Sequence, residues 1–556
     1  MTINIRTSYD SFRDLRENDS YYIDKTEMIE EYLERRFDKA VLFARPRRFG
    51  KTLTMTMFRD FLDIRQDSKG IFDGLKIMDC PSTVVKYMNK YPVVFISLKE
   101  VFGDSFEVVY KNLCILISKV CEEYSYLLES DKISEVSKKF FRNLWNQNAE
   151  QPNTEQAIDL LCLMLNQYYG KQAFVIIDEY DVPISKALGT PYYDKVRDMI
   201  EHMLSYVCKT NSNVKAVMMS GCLYTVKNST YTGVNNILPY TVLSPIYASA
   251  IGFTDDEVKH LLKNAGFEDK YDIVSEWYDG YIFGRERMYC PWDVLLYVKS
   301  LIDGTYSEAM GPESYWLNTS ETALNIIHGF LGKTLGVEES FEQLLAGNTI
   351  KCTVDDMIPY HRIHESGENL WSALVETGYL TKAVTEKMPR MPLKIPNREI
   401  REVFRREVWR YFKGKVNNDF VKELERALWD EEIDRAKSAL DQILEATLSF
   451  YHEYHEYSYH LILDGFFTGL EYRVLSELET GYGRSDLIIL DPSSNRAMIL
   501  ELKHVKEEKE VEHAIREAAS QLIKNKYKSK LIYHDYNKLL QYAMVFYDKR
   551  VYISRV

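Results

Sequence analysis

Two short stretches of the chain carry residue types that could do phosphate chemistry. In the first, the strand-like run AVLFA (Ala40 to Ala44) leads through a basic loop, RPRRF, into Gly50-Lys51-Thr52 and an apolar helical pattern. That order suits a nucleotide phosphate site. Backbone N–H groups at a helix start wrap a β-phosphate, Lys51 reaches the β/γ oxygens, and the Thr52 hydroxyl ligates Mg²⁺. Gly50 keeps a Cβ away from the phosphate. The pattern departs from G-x-x-x-x-G-K-[ST], because Arg45 stands where the first glycine belongs. Taken alone, GKT also reads as a helix N-terminus with a solvated lysine.

A second observation favours the phosphate reading. The strand-like run AFVII delivers Asp178-Glu179 at its C-terminal end, where α/β sheets bind ligands. Asp178 would hold Mg²⁺ through water, and Glu179 would orient or activate the attacking water. A helix cap is the alternative for such an acidic pair. Ser220, ending the run VKAVMMS, is a candidate polar sensor of the γ-phosphate, although a serine before glycine also simply ends strands. Arg47 and Arg48 are candidates to complete the site, and a neighbouring subunit could supply that charge instead.

The second stretch, ETGYGRSDLIILDPSSNRAMILELK, contains Asp486 and then Glu501-x-Lys503. Side chains alternate along a strand, so Glu501 and Lys503 share one face while Leu500 and Leu502 take the other. Asp486 lies on the partner strand of the hairpin turned by DPSSNR. Two carboxylates that hold Mg²⁺ beside a lysine that positions water are what phosphodiester hydrolysis needs. A surface Glu–Lys pair on an edge strand is the alternative.

Elements that could position these residues are legible in outline. AVLFA, VVFISL (Val93 to Leu98), AFVII (Ala173 to Ile177) and VKAVMMS (Val214 to Ser220) are short, β-branched and nearly uncharged, separated by helical stretches. That alternation predicts a parallel α/β sheet. From about Phe253 the pattern turns mainly helical and aromatic. A proline-spaced stretch, MPRMPLKIPN, marks a joint, and strand signals return near the C-terminus. The 556 residues exceed one hydrophobic core. With 46% hydrophobic and 28% charged residues the chain reads as globular. A net charge of −13 confines any nucleic-acid contact to a local groove. Eight cysteines without a C-x-x-C pair, and no leader or spanning segment, predict a reduced, cytoplasmic protein without a membrane partner. The run YHEYHEY lacks the H-E-x-x-H spacing of a zinc helix, and His452 and His455 are read as structural, while His460, in the helix before the hairpin, could approach Asp486 and Glu501 without being counted as catalytic.

RPRRFGKT, IIDEYDVP, WYDGY, the NTS at Asn318 to Ser320, ETGYLT, KIPNREI and YYIDKT together resemble the bacterial AAA-ATPase-like proteins that carry a C-terminal PD-(D/E)xK nuclease-like domain. The resemblance covers nearly the whole chain, and in that family the loop commonly lacks the first Walker glycine. It implies an α/β protein: an N-terminal P-loop NTPase with a parallel sheet (1–252), a mainly helical lid or accessory region (253–396), a helical linker (397–440) and a C-terminal α/β restriction-endonuclease-like domain (441–556). It puts Tyr21 to Thr26 close to the nucleotide base. GYGR before Asp486, and Gln521 and Tyr527 after Lys503, match the nuclease pattern, with Gln521 as an auxiliary active-site residue. Arg484 would contact phosphate or pair structurally. The implied phosphate-site set is Arg47, Gly50, Lys51, Thr52, Asp178 and Ser220 with Glu179 catalytic. The implied nuclease set is Asp486, Glu501, Lys503 and Gln521. ATP and Mg²⁺ are the expected cofactors, with Mn²⁺ an option for the nuclease, and Thr52, Asp178, Asp486 and Glu501 as metal ligands. The expected partner is DNA or RNA, tracked by the lysines of KNKYKSK (Lys524 to Lys530) or merely flanked by them. ATPases of this broad fold often assemble, so a homo-oligomer is among the expectations. The leading expectation is an ATP-regulated nuclease. Its rival is a nucleotide-switched scaffold whose nuclease-like domain binds without cutting.

Overall fold

The computed structural model describes residues 3–7, 9–209, 211–224, 236–306, 311–315, 337–345, 347–386, 388–404, 416–447, 456–470, 472–480, 483–524 and 536–556, and over 475–480 and 483–486 it describes the backbone. The chain forms two compact units. One is built from Met1–Ser307, Gly311–Ile326 and Thr349–Glu399, the other from Ile400–Val556 with a segment that includes the helix Val337–Leu345.

The first unit is organised by a five-stranded parallel sheet of β1 (Ala40–Ala44), β2 (Val93–Ser97), β3 (Ala173–Asp178), β4 (Val214–Gly221) and β5 (Leu238–Tyr240), in the order β2-β3-β4-β1-β5. β1 and β3 are buried along their whole length, as their nearly uncharged sequences require of strands covered on both faces. β4 lies between them. The loops after β1 and β3 therefore open on either side of the end of β4.

Helix α1 (Lys51–Leu62) follows β1 directly and buries Met55, Phe58, Phe61 and Leu62. Its N-cap is Gly50, at φ +97°, with no atom within 4 Å of where a Cβ would stand. The left-handed backbone therefore demands glycine there, whereas crowding by the protein does not.

The stretch after Phe253 adds helices and two small antiparallel sheets to the same unit. β6 (Phe253–Thr254), β7 (Tyr281–Phe283) and β8 (Glu286–Tyr289) form one, in the order β6-β8-β7. β9 (Ile350–Cys352), β10 (Thr381–Lys382) and β11 (Met391–Lys394) form the other, with β11 central. Helix α2 (Pro291–Ile302) follows β8 and packs Val294, Tyr297 and Val298 against Tyr278 and Tyr289.

The second unit contains β12 (Arg473–Thr480), β13 (Gly483–Asp491), β14 (Arg496–His504), β15 (Lys538–Tyr547) and β16 (Arg550–Arg555), paired in sequence order. All pairings are antiparallel except β14–β15, which is parallel. β13 and β14 are the hairpin expected across DPSSNR, turned by a single 3₁₀ turn at Pro492–Ser494 and by Asn495 at φ +49°. Helix α3 (Glu456–Gly469) precedes the sheet, and helix α4 (Val511–Lys524) follows β14. α4 covers one face, packing Ala518 and Leu522 on Ile488, Leu490, Ala497, Ile499 and Ala543. On the opposite face, Tyr459 of α3 stacks on Phe546 at 4.2 Å between ring centroids and on His504 at 5.7 Å.

Among the described residues no helix is long and apolar enough to cross a membrane.

Candidate functional site

At the C-terminal edge of the parallel sheet, Asp178 is the last residue of β3 and is wholly buried. Hydroxyls from three other elements converge on its carboxylate. Ser220 on β4 donates to Oδ1 at 2.5 Å, Thr52 at the start of α1 donates to Oδ2 at 2.9 Å, and Ser97 on β2 donates to Oδ2 at 3.3 Å. Burial nevertheless wins over these bonds and holds the Asp178 carboxyl above its ordinary pKa. Such a group gains from a cation. The Thr52 hydroxyl can keep its proton on Asp178 and still offer lone pairs to a metal, so the pair fits an Mg²⁺ held by the hydroxyl with the carboxylate behind it.

Glu179 sits at φ +52°, a left-handed conformation that costs a non-glycine residue about 1–3 kcal/mol. Its N–H donates to Ser220 Oγ at 3.2 Å, and the Tyr180 N–H donates to Ser220 O at 3.0 Å. These bonds turn the chain so that Glu179 lines a cavity while Asp178 stays beneath it. Asp181 is buried as well: its Oδ2 accepts from the Cys222 and Leu223 N–H groups at 2.9 and 3.2 Å and from the Tyr360 hydroxyl at 3.2 Å. Gly221 permits this closeness, since a Cβ there would stand 2.6 Å from the Tyr180 ring and 2.8 Å from Asp181 Oδ1.

The loop before α1 is braced by its own side chains. Arg45 is fully buried and donates to the carbonyls of Ala44, Tyr240 and Tyr247, each at 2.8 Å. Desolvation lowers its pKa to about 10, which still leaves it charged at neutral pH. The residue at the first-glycine position thus ties β1 to β5 and to the chain beyond it. Phe49 is buried against Tyr281 and Phe283, at 5.1 and 5.0 Å between centroids.

Lys51 Nζ reaches back to the Arg45 and Pro46 carbonyls at 3.1 Å each, and lies 3.7 Å from Cys222 Sγ and 3.8 Å from Glu179 Oε1. Burial works against its charge, but Cys222, Glu179, Asp181 and Asp178 outweigh that and leave its pKa raised. The ammonium is therefore held, charged, at the mouth of the loop.

Arg47, Gly50, Lys51, Thr52 and Glu179 all line one cavity of about 620 Å³, a size that suits a small organic ligand. Asp178 and Ser220 do not line it; Ser220 is fully buried and its hydroxyl is committed to Asp178. Sequence reasoning missed other residues of its walls, among them Ile5, Arg6, Thr7, Tyr9, Lys99, Lys186 and Trp292. Tyr21 also lines the cavity. The rest of YYIDKT ties the chain elsewhere: Asp24 accepts from the Lys76 N–H, Thr26 from the Ile77 N–H, and Lys25 pairs with Glu257 at 2.6 Å.

In the second unit, the β13–β14 ladder runs to Leu487 opposite Leu500, so Asp486 and Glu501 are the next residues on their strands. Alternation puts Glu501 and Lys503 on the face of Ala497 and Ile499, beneath α4. Glu501 is buried and Lys503 half-buried. Gln521 lies on α4 one turn beyond Ala518, and its buried Oε1 has no hydrogen-bond partner among the described residues. The side chains of Asp486 and Arg484, residues Lys526 to Lys530 with Tyr527, His452, His455, and Asn318 to Ser320 lie outside the described residues. His460 is buried on α3. Among the described residues no three potential ligands form a metal cluster.

Comparison with known proteins adds a second line of observation. Residues 6–231 match the family model described as predicted AAA-ATPase, and residues 454–556 match that of the PD-(D/E)XK nuclease superfamily. An uncharacterized protein in the vnfD 5′ region of Azotobacter chroococcum mcd 1 is 25% identical over 398 residues, spanning 70% of this chain and 67% of that protein. Among solved structures, that of the Aeropyrum pernix ORC2 protein (ADPNP-ADP complexes) aligns with 72% of this chain and 97% of its own at 10% identity, with a TM-score of 0.26.

The bracing by Arg45 yields a test. Arg45→Gly writes the missing glycine into the loop but removes three buried hydrogen bonds, each about 1–3 kcal/mol. The expected outcome is a loss of about 3 kcal/mol or more in the first unit, seen as an earlier denaturation midpoint. An unchanged midpoint would contradict the role given to Arg45.

Proposed function

We propose, for a chain that joins an AAA-ATPase-like segment at residues 6–231 to a PD-(D/E)XK nuclease-superfamily segment at residues 454–556, that it is a nuclease regulated by ATP. The observation that carries the first half is the convergence of Thr52, Ser97 and Ser220 on the buried Asp178, beside a cavity lined by Lys51 and Glu179. In both units Mg²⁺, when bound, offsets phosphate charge and makes a coordinated water more acidic.

The first unit's residues divide the work on ATP. The N-terminus of α1, with Gly50 at its cap, takes the phosphates on backbone N–H groups, and Lys51 exchanges its bonds to the loop carbonyls for β/γ oxygens. Thr52 and Asp178 hold the metal, with Ser220 and Ser97 fixing the carboxylate's orientation. Glu179, held by its strained backbone at the cavity wall, orients the attacking water. Arg47 adds positive charge toward the γ-phosphate. In the second unit Asp486 and Glu501 hold the metal and Lys503 stabilises charge developing on the phosphodiester. Gln521, whose buried oxygen awaits a donor, orients water or the substrate. The substrate is a nucleic acid strand, DNA or RNA.

Cleavage of labelled single- and double-stranded DNA and RNA, with Mg²⁺ or Mn²⁺ and with or without ATP, tests the whole reading. Lys503→Ala is expected to slow cutting about 10²–10³-fold, the cost of removing one charge-stabilising donor. Lys51→Ala is expected to erase the response to ATP. Absence of cutting by the wild type under every condition favours the nucleotide-switched scaffold instead.

The raised pKa of Asp178 gives a pH test. Proton and metal compete for its carboxylate, so Mg²⁺-dependent ATP affinity should fall as pH drops through that raised pKa, about tenfold per unit below it. The fall begins at a higher pH than an exposed carboxylate would set. Asp178→Asn should lose the Mg²⁺ dependence and its pH profile together in an equilibrium binding assay.

A further inference from the structure

We propose that Arg48 senses nucleotide occupancy: its guanidinium rests on the indole of Trp292 and leaves it for the polyphosphate of a bound nucleotide. The inference rests on the reading of this cavity as an ATP site. It adds to that reading a device by which the middle stretch of the first unit registers whether the site is filled.

The geometry begins with the stack. Arg48 Cζ lies 4.1 Å from the centre of the Trp292 ring, and both residues line the cavity that Lys51, Thr52 and Glu179 also line. Arg48 is exposed, and the buried Cys290 and Asp293 lie in its field. Arg47, its neighbour, lies in the field of Glu179 and Asp181. The two arginines are thus unequal: the groups around Arg47 leave its pKa raised, whereas partial desolvation outweighs Cys290 and Asp293 and leaves that of Arg48 lowered.

The backbone around Arg48 is pinned, which leaves the side chain as the part free to move. Arg48 sits at φ +69°, an uncommon conformation for a residue with a Cβ. Its carbonyl accepts from Cys290 Sγ at 3.6 Å, and the next residue, Phe49, is wedged against Tyr281 and Phe283. Cys290, Tyr281 and Phe283 belong to the same stretch of chain that presents Trp292. A fixed pivot therefore stands between an aromatic face on one side and the phosphate loop on the other.

The chemistry favours transfer when a nucleotide enters. A guanidinium on an indole face gains from the ring's quadrupole and keeps its in-plane N–H donors free for another acceptor. Phosphate oxygens offer full charge and paired acceptors matched to the planar fork. Trp292 is at the start of α2, whose Val294, Tyr297 and Val298 reach the aromatic core of the middle stretch. Uncovering the indole thus changes the surface at one end of an otherwise well-anchored helix.

Tryptophan emission of the full chain tests this, because Trp292 is one of seven tryptophans and Trp292→Phe isolates its contribution. A non-hydrolysable ATP analogue with Mg²⁺ is titrated into wild type, Trp292→Phe and Arg48→Ala, with calorimetry fixing saturation for each. The wild type should change its emission in step with calorimetric binding, and Trp292→Phe should lose that change at saturation. Arg48→Ala should bind about tenfold more weakly or worse, as loss of a charged hydrogen bond implies, and show no emission change when filled. An Arg48→Lys variant, which keeps charge but not the fork, should retain part of the change. A full emission change in Arg48→Ala, or in Trp292→Phe, overturns the proposal. Binding to the wild type without any emission change overturns it while leaving the ATP reading intact; absence of binding to the wild type overturns both.

Discussion

A carboxylate buried at the end of a strand is costly unless its surroundings compensate, and Asp178 sets that requirement for the first unit. Its compensation comes from three hydroxyls on β2, β4 and α1. Each donor can arrive only if its element ends in register: Ser97 pairs directly with Asp178, and Ser220, one residue before the end of β4, lies beside Phe43 of β1. The sheet order β2-β3-β4-β1-β5 is what brings them to one point. Hydrogen bonding lowers the cost without removing it, since burial still dominates the carboxyl's pKa. That residual cost makes the position receptive to a cation.

The loop before α1 meets a comparable problem with positive charge. Arg45 is enclosed completely, and its two terminal nitrogens donate to carbonyls rather than to an acid. Glu376 lies in its field but is itself buried and pushed well above the usual carboxylate range. Main-chain oxygens with fixed orientation are the cheaper partners here, because they need no second buried charge. The same bonds explain why a loop without the usual first glycine keeps its path. Phe49 completes the grip from the side of the small β6-β8-β7 sheet.

Much of this was legible in the sequence. Uncharged, β-branched runs gave four of the five strands of the parallel sheet nearly to the residue, and strand alternation put Glu501 and Lys503 on one face. β5, only three residues long and containing Pro239, carries no such signal. The two small sheets were also hidden, because their strands are two to four residues long and their aromatic residues read equally well as helical packing. Around the cavity, Lys51, Thr52 and Glu179 were found by spacing, while Trp292, Lys99 and the N-terminal wall were not. No local pattern links residues so far apart; only the tertiary fold does. Asp181 had a visible signal, three residues after Asp178 in IIDEYD, but its task of fixing the end of β4 emerges only from its bonds to Cys222, Leu223 and Tyr360.

The central claim is that Lys51, Thr52 and Asp178 form a magnesium–nucleotide site within one chain. Calorimetric titration of ATP into the 556-residue chain, with Mg²⁺ and with chelator, tests it most directly when paired with Lys51→Ala. The account predicts one nucleotide per chain, bound in a Mg²⁺-dependent manner and lost in Lys51→Ala. Binding that is absent from the wild type, or that survives unchanged in Lys51→Ala, would contradict it.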